Sequence, residues 1–461
     1  MKLKSLLLIL LISCVGLANG QKKVKYEVGL STSVGTESEV PFWLQSNKRG
    51  LVPNKSYVMG DFSLGMDFNK EKTQGIDFMW EASAAAYTGD DTKFIIDNLY
   101  TGFKWKMFRF YLGQKADAIA FDGLSSTNGN ILYANNARSY PKYEISVPNW
   151  TDVPFLEGIV SFKGMLSDGI TMDNRYIDNA LIHRKNLFVR LFKDAKFSVS
   201  GGLEHVAMWS GDHPEHGKIS MSLNKYWKVF TGAGDKEGAF GNDSYRLGNH
   251  IGSYYLDAYY NTDDFSLQAY FRSVFDDGSG RKSENRPDGL YGLYYKNKKN
   301  ENALIQSALV EFYHTTDQSG NAHGMVDGVK NRGLDNYFNH GEYKSGWTHY
   351  GRTFGSPLFI TGKIDGQTVV LNNRFKAVHI GVRGMIAGIP YKTYFTYSKN
   401  YGTYAIPLVS ENSGLNQVSA LAEVTLPTKK LPFRIDVACA VDKGELLKDN
   451  VGMYVRVYRR F

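Results

Sequence analysis

Strict two-residue alternation, with no apolar run long enough for a helical span, constrains this chain most. The stretch Gly248 to Gly292 shows the pattern in miniature. Tyr254, Leu256, Ala258 and Tyr260 share one face, and Phe265, Leu267, Ala269 and Phe271 share one face of the next segment. Asn261-Thr262-Asp263-Asp264 joins them, and a polar loop rich in Asp, Gly, Ser, Arg and Asn follows. Period-two alternation closed by a tight turn is the signature of an antiparallel hairpin. A short turn at one end and a long loop at the other is the layout of a transmembrane barrel hairpin.

The N-terminus reads as an export signal. Lys2 and Lys4 precede the apolar run Leu6 to Ile12, and Ala18-Asn19-Gly20 supplies small residues before a cleavage site. Residues 1–20 are expected to be removed, so that the mature chain, residues 21–461, begins at Gln21. A competing reading places lipoprotein processing at Cys14, after Leu11-Ile12-Ser13. Beyond the signal, no apolar stretch approaches the roughly 18 residues of a helical span. A membrane protein of this kind must therefore be a closed barrel, because open strand edges cannot face lipid. The 30 Tyr, 27 Phe and 7 Trp suit aromatic girdles at two interfaces. Cys439 alone remains after signal removal, which excludes an intrachain disulfide.

Alternation recurs along the chain. Val24–Val34, Phe62–Phe68, Ile76–Ala86, Phe108–Leu112, Gly158–Leu166, Asn186–Phe192, Lys196–Glu204 and Ala303–His314 read as strands, as do Val369–Phe375, Ala377–Ile386, Tyr391–Ser398, Ser419–Leu426, Phe433–Val441 and Gly452–Phe461. Pro427 to Pro432, with Lys429 and Lys430, reads as a turn on the periplasmic side. The last strand places Met453, Val455, Val457 and Phe461 on one parity, with Tyr454, Arg456, Tyr458 and Arg460 on the other. Arg459 falls on the apolar parity, where a long cation can snorkel to an interface. At roughly 24 residues per strand, turns and loops included, the mature length gives about 18 strands. Lys115–Trp150, His205–His250 and Thr315–Arg352 break the alternation and read as long loops. Barrels this wide leave an aqueous lumen unless loops enter it. The fold class is thus an all-β transmembrane antiparallel barrel, with long extracellular loops partly filling the lumen.

The formal net charge of +8 is dispersed rather than clustered, which disfavours nucleic acid. It suits an acidic polysaccharide or the phosphates of lipopolysaccharide. Sugar recognition needs aromatic faces with Asp, Asn, Arg and His to pair hydroxyls. The second and third loops supply Trp209, Tyr245 and His250, and Tyr343, Trp347, Tyr350 and Arg352. Asp276, Asp277, Asn285 and Asp288 join them from the loop after the central hairpin. Asp212-His213-Pro214-Glu215-His216 could ligate a metal, and Asp276–Gly280 or Asp317–Asn321 calcium, but turn chemistry explains each more simply. No cofactor or metal is therefore expected. Ser, His and Asp occur in no nucleophile context, so no catalysis is expected either.

Several segments together resemble the Wzi-type capsule assembly proteins. They are Pro41-Phe42-Trp43-Leu44-Gln45-Ser46-Asn47, Gly202-Leu203-Glu204-His205 with Trp209, Gly248–Ser253, Phe275–Gly280 with Asn285–Leu290, Ser345–Arg352 with Gly355–Leu358, and Ser398–Tyr404. They run in order from about residue 29 to the C-terminus. The resemblance implies an 18-stranded outer-membrane barrel that binds capsular polysaccharide or exopolysaccharide and helps fix it to the cell surface without catalysis. Contact with lipopolysaccharide and outer-membrane lipid is expected of such a barrel, and so is a monomer. Some members carry an N-terminal helical bundle that closes the periplasmic end. Here strands begin almost at once after Gln21, so no such bundle is expected. The alternative function is a passive diffusion porin.

Overall fold

Eighteen segments with alternating faces pair in chain order into one antiparallel sheet that closes on itself. They are β1 (Lys25–Gly35), β2 (Tyr57–Met66), β3 (Ile76–Thr88), β4 (Lys93–Trp105), β5 (Phe108–Gln114), β6 (Pro141–Asp152), β7 (Val160–Ile170), β8 (Leu181–Leu191) and β9 (Phe197–Trp209). The circuit continues with β10 (Asn249–Asn261), β11 (Phe265–Arg272), β12 (Gly289–Asn297), β13 (Ser307–His314), β14 (Arg374–Ile386), β15 (Ile389–Gly402), β16 (Leu415–Leu426), β17 (Arg434–Gly444) and β18 (Asn450–Arg460). The first and last strands pair from Glu27 opposite Arg460 to Gly35 opposite Gly452, which completes the ring. This computed structural model describes residues 24–69, 74–234, 247–276, 278–326, 329–409, 413–428 and 431–461. The signal segment, Cys14 and Gln21 therefore lie outside the described residues, as do Lys429 and Lys430.

Parity decides which way each side chain points. Val28, Leu30, Phe62, Leu187, Leu203, Leu256, Leu293 and Phe395 form an exposed apolar belt around the outside. Such a belt is stable against hydrocarbon and would aggregate in water. Ser33, Glu204, Asp257, Glu311 and Ser419 point inward and are buried. No described helix is long and apolar enough to cross a membrane, so any crossing is made by strands. The first and last described residues, Val24 and Phe461, and the short connections, such as 106–107, 262–264 and 387–388, gather at one rim. The long ones, 36–56, 115–140, 210–248, 273–288 and 315–373, gather at the other. By the usual polarity of such barrels, the long-loop rim is the extracellular mouth.

Three of these loops enter the mouth half of the lumen. Trp43, Leu124, Ile131, Phe338 and Phe359 are buried in one cluster with the inward wall residues Tyr270, Leu309, Phe375 and Ala438. Polar anchors fix the register of the loops against the wall. Glu311 accepts from Ser125 Oγ at 2.5 Å, from Ser126 N–H at 3.0 Å and Oγ at 2.6 Å, and from Tyr270 OH at 2.7 Å. His379 Nε2 contacts the Leu124 carbonyl at 2.8 Å. Gly381 lets that backbone approach, since a Cβ there would lie 2.7 Å from the Leu124 oxygen. Arg184 ties Asp117 of the loop to Glu204 of the wall, each at 2.6 Å.

Three expectations need correction, and strands such as β4 were not expected at all. Lys115–Trp150 is not all loop, because β6 begins at Pro141. Its inward positions are Lys142, Glu144 and Ser146, and the bulge after Val147 breaks the alternation. The strand β4 escapes a period-two reading because a register shift at Ser83/Ala84 on β3 reverses the phase near Asp97. The loop His205–His250 is shorter than expected, since His205 and Trp209 belong to β9 and His250 to β10. Finally, Val369–Phe375 is not a wall strand. Gln367–Asn372 pairs with Ile360–Ile364 in a hairpin inside the third loop, which extends to Asn373.

The anchors on Glu311 generate a prediction. Glu311→Ala leaves several buried donors unsatisfied, at a cost on the order of 3 kcal/mol. Loop 115–140 should then be cleaved faster by protease in the intact barrel, and ion current through planar bilayers should exceed wild type. Unchanged cleavage and current would show that the plug does not depend on this carboxylate.

Candidate functional site

The mouth carries a cavity of about 1340 Å³. Its floor is built from Pro41–Asn47, where the short helix Phe42–Gln45 buries Phe42, Trp43 and Leu44. Proline at the N-cap offers no side-chain acceptor, so Asp442 of β17 takes the Phe42 N–H at 2.8 Å. Trp43 Nε1 donates to Thr396 Oγ1 on β15 at 3.2 Å. Trp43 and Leu44 are therefore structural, while Phe42, Gln45 and Ser46 line the cavity.

One wall is the hairpin that pairs His349 with Arg352 across Tyr350-Gly351. Both turn residues have positive φ, 51° and 80°, as a type I′ turn requires. Glycine takes that conformation freely, whereas a tyrosine there is disfavoured by roughly 1–2 kcal/mol. The Tyr350 N–H bonds Asp173 Oδ2 at 2.9 Å and its hydroxyl donates to the Met172 carbonyl at 3.0 Å, which offsets that strain. The result holds an aromatic ring, 42% exposed, at the edge of the cavity. The Arg138 guanidinium stacks on it at 4.1 Å.

Arg352 Nη2 reaches Gln45 Oε1 at 3.3 Å and the Val52 carbonyl at 3.2 Å, and Arg138 Nη2 donates to the Gly50 carbonyl at 3.1 Å. Burial lowers both guanidinium pKa values, that of Arg352 to about 10, and each keeps its charge at neutral pH. The rim carries Lys55 paired with Asp90, Lys93 with Asp91 at 3.5 Å and Lys448 with Glu37 at 3.8 Å. Exposed pairs of this kind add little stability. Their effect is to cancel the field, leaving donors and acceptors such as Glu39 and Asn54, themselves bonded at 2.7 Å. The cavity thus offers hydroxyl partners beside an aromatic face rather than a field of one sign.

Of the expected contact residues, the structure brings Tyr350 and Arg352 together here. Tyr245 and Asp277 lie outside the described residues. The structure places the others away from this cavity. Trp209 is buried on the outer side of β9 with Ala207, Val229 and Leu247. His250 is buried on β10 and bonds His205 at 2.9 Å. Asp276 is half-buried on loop 273–288, away from the cavity. Asn285 donates to the Val274 carbonyl, and Asp288 accepts from His314, Asp317 N–H, Gln318 N–H and Tyr337. Tyr343 donates to the Ser210 carbonyl from a buried position, and Trp347 is buried within the loop cluster. Composition found these residues because loops that fill a barrel need the same aromatic and polar types as a sugar site. Arg138, Glu39 and Asn54 were missed, since no motif surrounds them and only the fold assembles them. Among the described residues, no group of three or more His, Cys, Asp or Glu is placed to hold a metal.

His349 locks the hairpin. Its Nδ1–H donates to the Arg138 carbonyl at 2.8 Å, and Nε2 accepts the Met172 N–H at 3.1 Å. Burial pushes its pKa down to about 4, partly opposed by Asp173. The folded value lies below the free value, so the opened loop binds the proton first. Stability of this loop is complete above about pH 6.5, falls between 6.5 and 4, and levels off below, by roughly 3 kcal/mol in all. Hydrogen exchange across residues 345–355 should accelerate in that window, and His349→Asn should flatten the dependence. An unchanged profile in the variant would contradict this role.

A model of the capsule assembly protein Wzi family matches residues 26–377. No curated protein sequence matches the chain. Among solved structures, the chain is similar to Wzi of Escherichia coli, an outer-membrane protein involved in group 1 capsule assembly and a carbohydrate-binding β-barrel. The identity is 12%, with 94% of this chain and 83% of that one covered and a TM-score of 0.58. Weaker matches include OccK5 of Pseudomonas aeruginosa (8% identity, 95% and 98% covered, TM-score 0.49) and OprD of the same organism (10%, 96% and 97%, TM-score 0.47). With a closed 18-stranded barrel and a family match over most of its length, the chain belongs to the Wzi capsule assembly protein family.

Proposed function

We propose that this barrel sits in the outer membrane, binds capsular polysaccharide or exopolysaccharide at its extracellular mouth, and helps hold the polymer at the cell surface without altering it covalently. The observation that carries the reading is the cavity built on Tyr350, Arg138 and Arg352 over a plugged lumen. An aromatic ring takes a sugar C–H face, while guanidinium and carboxamide groups pair hydroxyls. A volume near 1340 Å³ accommodates several sugar rings rather than one. Family membership supports the same direction, since the Escherichia coli relative is a carbohydrate-binding β-barrel involved in capsule assembly. Binding is proposed to need one protomer, because a single barrel assembles Tyr350, Arg138 and Arg352 at the cavity.

A diffusion porin needs a continuous lumen. The packing of Leu124, Ile131 and Phe338 against Tyr270, Leu309 and Phe375 across the mouth half argues against one.

Capsular polysaccharide purified from the producing strain should bind the full chain saturably. Tyr350→Ala and Arg352→Ala should each weaken it about tenfold, or roughly 1.4 kcal/mol. Asp194→Ala, at the opposite rim, should leave it unchanged. Raising salt from low to near-molar concentration should change affinity only a few-fold, because the rim charges pair with one another. Equal affinities in all variants would place the polymer elsewhere.

A further inference from the structure

We infer that the helix Leu223–Thr231 anchors the barrel to the membrane surface, lying on the outside of the wall and presenting Met221, Leu223 and Trp227 to the outer leaflet. The inference rests on the outer-membrane reading above.

Parity places the helix. On β8, Leu187, Val189 and Leu191 point outward and are exposed, and the same parity carries Lys185 and His183 toward the mouth. On β9 it runs from Leu203 through His205 and Ala207 to Trp209, and on β10 from Leu256 to His250. Asp168 on β7 lies opposite His183. The outer wall therefore turns from apolar to polar near its extracellular rim, and the helix covers that patch. Tyr226 donates to Asp168 Oδ2 at 3.1 Å and meets the His183 ring edge-on at 5.5 Å. Phe230 lies 5.3 Å from His183, and the Lys185 ammonium sits 3.8 Å over its ring and donates to its carbonyl. Val229 is fully buried in the cluster with Ala207 and Trp209.

Ser222 caps the start by accepting the Lys225 N–H at 3.2 Å, and Gly232 ends the helix in the left-handed conformation. At 3.6 residues per turn, Tyr226, Val229 and Phe230 occupy the arc against the wall. Leu223 and Trp227 occupy the adjoining arc and are 87% and 61% exposed. Asn224, Lys225 and Lys228 fill the polar arc. The apolar arc is thus wider than the wall requires. What meets its free part is lipid, because the surface continues directly into the exposed belt of Leu187, Leu203 and Leu256. Tyr143 stands exposed on the neighbouring strand and donates to the same Asp168, as an interfacial aromatic would. Lys225 and Lys228 then face the phosphate-bearing headgroups.

The full chain reconstituted in phosphatidylcholine vesicles, with and without bromine on the acyl chains, tests this by tryptophan emission. The component removed by Trp227→Phe should be quenched at least twofold by brominated lipid and little by aqueous iodide. Quenching by iodide but not bromine would overturn the inference. The component removed by Trp105→Phe, on the outer wall at the other rim, reports insertion. If Trp105 is quenched and Trp227 is not, the helix assignment fails and the barrel stands. If neither is quenched, the membrane reading fails and takes the helix with it.

Discussion

A backbone N–H or C=O left without a partner in hydrocarbon costs several kcal/mol, so a sheet that crosses a membrane must have no edge. Here that requirement falls on one seam. The nine residues Glu27–Gly35 pair with Gly452–Arg460, joining the first and last described strands. Arg456 on the inside of the seam bonds both Glu27 and Asp61, spanning three adjacent strands. On the outside, Phe461 stacks on Tyr26 at 4.3 Å, and its N–H bonds the Tyr26 carbonyl at 2.9 Å. Every other pairing joins strands consecutive in the chain, but this one joins the first to the last.

Closing eighteen strands leaves a wide lumen, and the remaining architecture answers that consequence. Water could fill it, but the chain instead sends loops inward that bury Trp43, Tyr337, Phe338 and Phe359. Each such ring contributes a few kcal/mol by leaving water. That exceeds the roughly 1 kcal/mol net from a typical hydrogen bond, so burial drives the insertion of the loops and polar anchors such as Glu311 fix their register. Once the mouth is filled, the space above the plug becomes the place where a ligand can meet the protein. Tyr350, strained into a turn that glycine would take freely, stands at that boundary.

Much of this architecture is legible in the sequence because period two is a geometric property of strands, and lipid enforces it on the outer face. The hairpin of β10 and β11 and the terminal strand β18 are read directly from it. Where a bulge shifts the phase, as near Asp97, or where inward residues are charged, as in Lys142 and Glu144, the signal weakens and the strand is lost. Val369 to Phe375 shows the opposite error, since a hairpin inside a loop alternates as well as one in the wall. The site was less legible. Residue type singles out Tyr350 and Arg352, which meet at one cavity, but equally Trp209, Trp347 and Tyr343, which are buried elsewhere. Arg138 lies more than 200 residues from Tyr350, and only the closed barrel brings the two together.

The central claim is that this barrel retains polymer at the surface from outside a plugged lumen. It is tested most directly in a strain lacking the protein, with capsular polymer assayed separately in the cell-bound and medium fractions. The account predicts unchanged total polymer with a marked shift from cells to medium. An unchanged distribution, accompanied by slower uptake of small solutes, would contradict it and identify a diffusion channel.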